Sequence, residues 1–542
     1  MKTGELLLFI IIVSIFAIFL MGADVIEIPY FISKSLLRMI CAYILTLIFS
    51  ISFAILMAHN HTASKILFPI MDILQSIPIL GFLPFAMLFF IHLFPVYGTE
   101  LVSIFLLFTS MTWSVLFNTI EGIKTIPNKL SDVAKLTNVK GLDYLFHIVF
   151  PAIYPPLISG SITGWGGAWY FLVVGEYLIF ANEIYSLDGI GSFISKSAYS
   201  GNIALSILGI GILACVVLSI NKFIWQPLLF KARKYSYGRQ DDLEGEDSRV
   251  IPKLEIFYER YIKNFALTNS FLRNTLEKIL KFFDISPKTQ FDEIKKISSA
   301  FVLQIAILFG LIIFGILFTT SNMITFSSVF FASLYTAIRI GIAYSIALFW
   351  TLSVAILIAK KTSLLKYLMP IFDVGQSIPA VAIFPIIVVF LINSLGNGSV
   401  AIEIASILLI MTGVQWYLLF NFIRAIRAIP SEINDLGRMI SIDKKSQIKE
   451  IILPAITPAI IVGSLEATAG GLNATVISEN IVYDNQVYST LGLGYLMSQG
   501  AAVGDTTAII ISVLAMMIMV LLVNRLVWKR MLSAIEKYKF VV

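Results

Sequence analysis

Apolar runs of about 20 residues recur along the whole chain, separated by short polar stretches. A helix of that length crosses a hydrocarbon core roughly 30 Å thick. Six runs fall in the first half, at about 6–23, 36–58, 78–95, 100–120, 151–180 and 203–228. Six more follow at about 299–319, 332–359, 379–395, 400–423, 454–480 and 507–528. The pattern predicts an all-α integral membrane protein of about 12 transmembrane helices. The third run of each half is short and holds Pro84 or Pro385, so a bend or break is expected there. Lys2 followed by the run Leu6–Ala23 has the outline of a secretory signal. An uncleaved first span is the preferred reading, because the run is long for a signal core and the second half has an equivalent span before its own repeat.

The two halves are copies of one unit. Pro69, Asp72, Gln75-Ser76-Ile77-Pro78 and Pro84 match Pro370, Asp373, Gln376-Ser377-Ile378-Pro379 and Pro385, and Arg38 with Ala42-Tyr43 matches Arg339 with Ala343-Tyr344, all at an offset of 301. Further on the offset is 303: Phe117-Asn118 with Phe420-Asn421, Pro127 with Pro430, Asp132 with Asp435, Pro151 with Pro454, Glu176 with Glu479, and Gly189-Ile-Gly191 with Gly492-Leu-Gly494. Apolar residues coincide easily in membrane proteins. Pro, Asp, Asn, Gln and Glu recurring in one order do not, so a duplicated unit is the economical account. The expected layout is a first helix and outer loop at 1–30, a repeat at 31–228, a cytoplasmic linker at 229–298, a helix and outer loop at 299–330, a second repeat at 331–530, and a tail at 531–542.

Composition agrees with the membrane reading. Only 13% of residues are charged and 58% are hydrophobic, against about 25% charged in soluble domains. The net charge of +6 does not point to nucleic acid, because Lys and Arg collect in the loops after spans two and four of each half. Those loops, both termini and the linker are therefore expected on the cytoplasmic side. Linker residues Leu254–Phe283 have a helical period and fit either a surface helix or a solvated tether. Cys41 and Cys215 lie inside apolar runs, and His59, His61, His92 and His147 form no metal-ligand set.

One loop stands out chemically. Pro127 and Pro151 are 24 residues apart, as are Pro430 and Pro454. Each pair brackets a predicted short helix, a turn near Asn138 or Ser441, and a second helix leading into span five. Leu130, Val133, Ala134 and Leu136 give the first of these helices an apolar face. A short amphipathic helix displayed twice on one side of a membrane suits docking into a groove of another protein.

Together these residues resemble the permeases of binding-protein-dependent ABC importers, in the nitrate, sulfonate, taurine and bicarbonate branch. The carrying motifs are the Pro-bounded loops, the Gln-Ser-Ile-Pro segments, the Arg of span two, the Glu of span five and the Gly-x-Gly after it. The resemblance covers nearly all of both halves and not the linker. It departs from the family's coupling motif in having Asp132 and Asp435 for Glu, and Asn138 and Ser441 for Gly. The small pair is Val133-Ala134 in one half and Leu436-Gly437 in the other. The resemblance implies a type I importer permease with both halves fused in one chain. Two cytosolic ATPases would grip the loops at 128–146 and 431–449, through Pro127, Asp132, Ala134, Asn138 and Pro151 and through Pro430, Asp435, Gly437, Ser441 and Pro454. A solute-binding protein would deliver a small oxyanion or sulfonate from outside. The chain has no Gly-x-x-x-x-Gly-Lys-Ser/Thr phosphate loop, so ATP would belong to the partners, and no cofactor or catalytic residue is expected in the chain itself.

Ionisable residues at membrane depth call for partners. Arg38 is expected to pair with Glu176, and Arg339 with Glu479, as matched structural pairs; the competing account has these acids or arginines lining the substrate path. Span five differs between the halves, and the pore-facing candidates are Trp165, Trp169, Thr468 and Asn473, with ordinary helix packing and an interfacial Trp belt as the competing account. Two other classes compete. An ion-driven transporter with two six-span halves would show ion-ligating groups at mid-span. A membrane enzyme would need clustered His, Asp or Glu at one depth.

Overall fold

The computed structural model describes residues 27–137, 139, 141–180, 183–232, 325–360, 364–396, 398–427, 429, 439, 443, 446–483, 486–528, 530 and 531. The expected spans at 6–23 and 299–319, and the linker beyond Ala232, lie outside the described residues.

The first unit begins with α1 (Ile28–His59), whose Pro29 sits in the first turn, where a missing N–H costs nothing. Asn60 caps α2 (His61–Ser76) by accepting from Ala63 N at 2.9 Å. A 3₁₀ turn at Ile79–Phe82 leads into α3 (Leu83–Leu93), then α4 (Gly98–Lys124) and the short α5 (Asn128–Leu136). One turn of α6 (Gly141–Tyr144) runs through a π segment at Leu145–Val149 into α7 (Phe150–Glu176). After α7 come β1 (Tyr177–Phe180), β2 (Glu183–Ser186), α8 (Ile190–Tyr199) and α9 (Ile203–Ile220), then a π segment at Asn221–Trp225 and α10 (Gln226–Ala232).

The second unit repeats this order: α11 (Phe326–Lys360), α12 (Leu365–Ser377), α13 (Ala380–Leu395) and α14 (Gly398–Arg427). A π segment at Gln447–Ile452 opens α15 (Leu453–Ser478). β3 (Asn480–Tyr483), β4 (Gln486–Ser489), α16 (Leu493–Ala502) and α17 (Thr506–Val523) follow.

Among the described residues eight helices are long and apolar enough to cross a membrane, or nine if the bent pair α12–α13 counts as one span. The bend expected inside the third span of each half, at Pro84 or Pro385, is not there; the chain breaks at the start of that span instead. The chain turns by 79° between α12 and α13, where Ile378 is extended ahead of Pro379. Ile77 ahead of Pro78 is extended likewise. A residue before proline is pushed out of the helical region by the ring. Pro84 instead lies in the first turn of α3, and Pro385 is carried inside α13 without ending it.

Span five is shorter than its apolar run. Residues 177–180, expected as helix, form β1, paired antiparallel with β2 in the register Tyr177↔Ser186 to Phe180↔Glu183. The second unit pairs Asn480↔Ser489 to Tyr483↔Gln486 in the same way.

Within each unit α4 packs along α7, and α14 along α15. The contact is close because glycine faces it: a Cβ on Gly160 would lie 2.6 Å from Ser114 O, and one on Gly164 would lie 3.0 Å from Met111 O. Small residues allowing backbones to approach are the usual means of helix association in lipid. α1 is tied to α7 by Tyr43 Oη donating to Ser161 Oγ at 2.9 Å, and α11 to α15 by the equivalent Tyr344–Ser464 contact at 2.6 Å. Single interhelical hydrogen bonds of this kind average about 0.6 kcal/mol. Tyr43→Phe should therefore lower the melting temperature in detergent only slightly, and together with Tyr344→Phe additively, since the two sites share no partner.

The units join where α13 crosses α7 and α8, and one apolar core runs through both. At the join lies a small cavity of about 50 Å³ between Val173 and Tyr199 of one unit and Phe384, Val476 and Asn480 of the other.

Candidate functional site

Three arrangements concern function. The first is a charge network at the ends of spans two, four and five, present once per unit. Arg38 on α1 is 3% exposed and Glu176, the last residue of α7, is fully buried. Arg38 Nη1 donates to Glu176 Oε1 at 2.8 Å and to Asp188 O at 2.8 Å. Its Nε and Nη2 grip Glu100 of α4 in a bidentate pair at 2.6 and 2.7 Å. Ser35 Oγ donates to Glu176 Oε1 at 2.5 Å and Gly191 N to Oε2 at 2.7 Å. In the second unit Arg339 pairs with Glu479 at 2.7 Å and with Glu403 at 2.7 and 2.9 Å. It also donates to Thr490 Oγ1 and to Leu491 O. Thr336 takes the place of Ser35, and Gly494 N that of Gly191 N. Every lone pair and donor that matters is met, as a buried ion pair requires. One guanidinium thus ties α1, α4, α7 and the following loop together. Glu100 and Glu403 were not expected as members, although they share the 303-residue offset and open span four.

The second arrangement is the Pro-bounded loop. Pro127 O accepts from Leu130 N at 2.9 Å at the start of α5, and Pro151 lies in the first turn of α7. The apolar residues of α5 divide between two faces. Ala134 is buried with Leu130 against Ile126, Leu145 and Ile148, whereas Val133 is 53% and Leu136 87% exposed. Asp132 is exposed beside them. A groove of about 450 Å³ runs between α5 and the chain entering α7, lined by Leu130, Val133, Thr137, Val139, Asp143 and His147. In the second unit Pro454 holds the place of Pro151 in α15. Asn138, Pro430, Asp435, Gly437 and Ser441 lie outside the described residues.

The sequence matches the family described as binding-protein-dependent transport system inner membrane component, over residues 46–229 and again over 351–531. The two matches together cover more than half of the chain. The chain belongs to this family. As an inner membrane component with both copies of the domain in one polypeptide, it has similar proteins of known name. The nitrate import permease protein of Leptolyngbya laminosa is 28% identical over 196 residues, 36% of this chain and 66% of that protein. The bicarbonate transport system permease protein of Synechococcus elongatus is 27% identical over 190 residues, 35% of this chain and 64% of that protein. The taurine transport system permease protein of Escherichia coli is 23% identical over 176 residues, 32% of this chain and 62% of that protein. The matched stretch therefore spans 62–66% of the length of these relatives.

The third arrangement is the face of span five. In this inner membrane component Trp165 does not line an open path: its ring packs edge-on against Tyr43 and Trp225 inside its own unit. Trp169 is buried in the shared core. Thr468 accepts from Trp528 Nε1 at 3.2 Å, again within one unit. Of the four pore candidates Asn473 reaches across, its Oδ1 accepting from Leu80 N of the other unit at 3.1 Å. The exposed stripe of α7 is Thr163, Gly166 and Gly167, with Tyr170 half-buried at its end. The repeat offset maps it onto Glu466, Ala469, Gly470 and Asn473 of α15, which are exposed or half-buried. A Cβ on Gly166 or Gly167 would meet nothing within 4 Å. Of these, the ionisable Glu466 is the group costly to expose to lipid tails.

Proposed function

We propose that this chain is the permease of an ATP-driven importer, both halves of its translocation path being carried on one polypeptide. The observation that carries the reading is α5, which turns Val133 and Leu136 outward beside an open groove while Ala134 anchors it from behind. A monomer in isolation has no use for apolar side chains displayed that way on a short amphipathic helix, whereas a partner with a matching groove would bury them. The 24-residue Pro spacing recurs in the second unit and supports expecting a second such helix there. Two cytosolic ATPase subunits would each clasp one, hydrolyse ATP, and drive the two units between outward and inward openings. These helices and both termini would then lie on the cytoplasmic side of the cell membrane, a reading supported by the positive charge of the loops after spans two and four. A solute-binding protein would dock on the opposite side, at the end carrying the Arg–Glu networks. By kinship the solute is a small oxyanion or sulfonate.

The test is co-purification with a cytosolic ABC ATPase co-expressed from the same source. Changing Asp132→Lys and Asp435→Lys together should strip the ATPase from the membrane complex, and Leu136→Asp should weaken retention several-fold. Full retention in both variants would remove the reading.

A further inference from the structure

Within the importer reading, on which this inference rests, we propose that the cavity at the join is a closed section of the translocation path, and that Asn480 is the group a solute meets there. The cavity is lined in matched pairs. Val173 of α7 is answered by Val476 of α15, Tyr177 of β1 by Asn480 of β3, and Ser195 of α8 by Ser498 of α16, each pair at the 303-residue offset of the repeat. A space bordered by the same positions of both units lies on the axis that relates them. In a transporter built from two repeats the path runs along their interface, where both can reach the solute. Val173 lies near the end of α7 remote from the Pro-bounded loop, so the cavity belongs to the outer part of that path.

The section is shut. Tyr199, also in the lining, stacks on Tyr177 with ring centroids 5.6 Å apart and meets Tyr483 of the other unit at 5.9 Å. The equivalent contact across the axis would join Ala502 to Phe180, which has one ring and cannot stack. The remaining volume of about 50 Å³ is room for a few waters and not for a solute with its hydration shell.

No lining residue is charged, so a solute is met at this point by hydrogen bonds. Asn480 has bonding capacity to spare. It is 5% exposed, its Nδ2 donates to Ser498 Oγ at 2.6 Å, and its Oδ1 is buried with no hydrogen-bond partner among the described residues. A buried carbonyl oxygen left unmet is costly in a fixed core, and is met where a passing donor comes to it. Turning the amide presents its NH2 group instead, because Ser498 Oγ can donate as readily as accept. Tyr177 holds this position in the first unit, so there is one such amide per path, an asymmetry that fusion of the halves permits.

The test labels thiols in the whole complex, held in sealed vesicles, with Cys41→Ser and Cys215→Ser in the chain. Asn480→Cys should react with a membrane-impermeant methanethiosulfonate, added outside, roughly 10-fold faster or more after trapping with ATP and vanadate than without nucleotide. Ser161→Cys, buried inside the first unit, should stay unreactive in both states. Ser498→Cys reads the same point should Asn480→Cys fail to fold. In trapped Ser498→Cys, adding Asn480→Asp should shift the preference toward a cationic over an anionic reagent by roughly 10-fold or more. Thiols at 480 and 498 no faster in the trapped complex than at rest, or a charge preference unmoved by Asn480→Asp, overturn the proposal. Failure of the importer reading shows separately, as absence of any co-purifying ATPase to trap.

Discussion

Arg38→Ala should destabilise the protein by about 3–5 kcal/mol, the loss typical when one member of a buried ion pair is removed. The substitution leaves Glu176 fully buried, with Ser35 and Gly191 N as its remaining donors. It also frees Glu100 and drops the bond to Asp188 O, so α1, α4 and the loop after β2 lose their common tie. Glu100→Gln is the informative comparison. Glu100 is 37% exposed, water screens it, and its removal leaves the buried pair intact, so about 1 kcal/mol is expected. Arg38→Met with Glu176→Leu should recover most of the loss, because an apolar pair of similar volume carries no desolvation penalty. Thermal unfolding in detergent, followed by tryptophan fluorescence, reads all three. An Arg38→Ala melt no lower than that of Glu100→Gln would show that the network does not hold the helices. Arg339→Ala should repeat the result in the second unit, where the partners are Glu479 and Glu403.

Much of this architecture is legible in the sequence, because duplication prints each constraint twice. The pairing of Arg38 with Glu176 could be inferred from two ions at matching depths, each with a copy in the other half. Glu100 carries the same signal in weaker form, because it sits at a span's edge, where a carboxylate needs no explanation. The hairpins were not legible: Tyr177-Leu-Ile-Phe continues the apolar run of α7 without a break, and hydrophobicity alone does not separate a buried strand from a buried helix. The facing of span five was hidden for a related reason. Gly160 and Gly164 press against α4 while Gly166 and Gly167 face open space, so one residue type serves both purposes within two turns. Large side chains such as Trp165 suggested a pore wall, yet packing set the rotation of the helix and turned them inward. The bend at Pro379 rather than Pro385 has a local cause, the extended residue before a proline, and both prolines offered it.

Gly189→Ala and Gly492→Ala should each cost several kcal/mol, far more than one added methyl normally does. A Cβ on Gly189 would fall 2.2 Å from Glu176 Cδ and 2.3 Å from both carboxylate oxygens, and Gly492 stands in the same relation to Glu479. Backbone strain is not the reason, since Gly189 is extended with φ 178°. Overpacking in a well-filled core costs about 1–3 kcal/mol when neighbours can shift. Here the neighbour is a carboxylate pinned by Arg38 at 2.8 Å, Ser35 at 2.5 Å and Gly191 N at 2.7 Å. Moving it breaks charge-assisted bonds worth roughly 1.5–3 kcal/mol each. Gly166→Ala provides the contrast: it sits in a helix with nothing near the new methyl, so it should be neutral or stabilising by up to about 1 kcal/mol. If the clash is with the carboxylate, Gly189→Ala should cost little in a Glu176→Ala background, and the double-mutant cycle should show a coupling of more than about 2 kcal/mol. Additive losses would instead place the damage in the loop itself. The Gly-x-Gly that follows span five in both halves is then explained without reference to turns: its first glycine clears the space in which a buried acid holds its arginine. The second, whose Cβ would lie 2.7 Å from Val173 Cα in one half and from Thr475 O in the other, lets the chain lie against the backbone of span five.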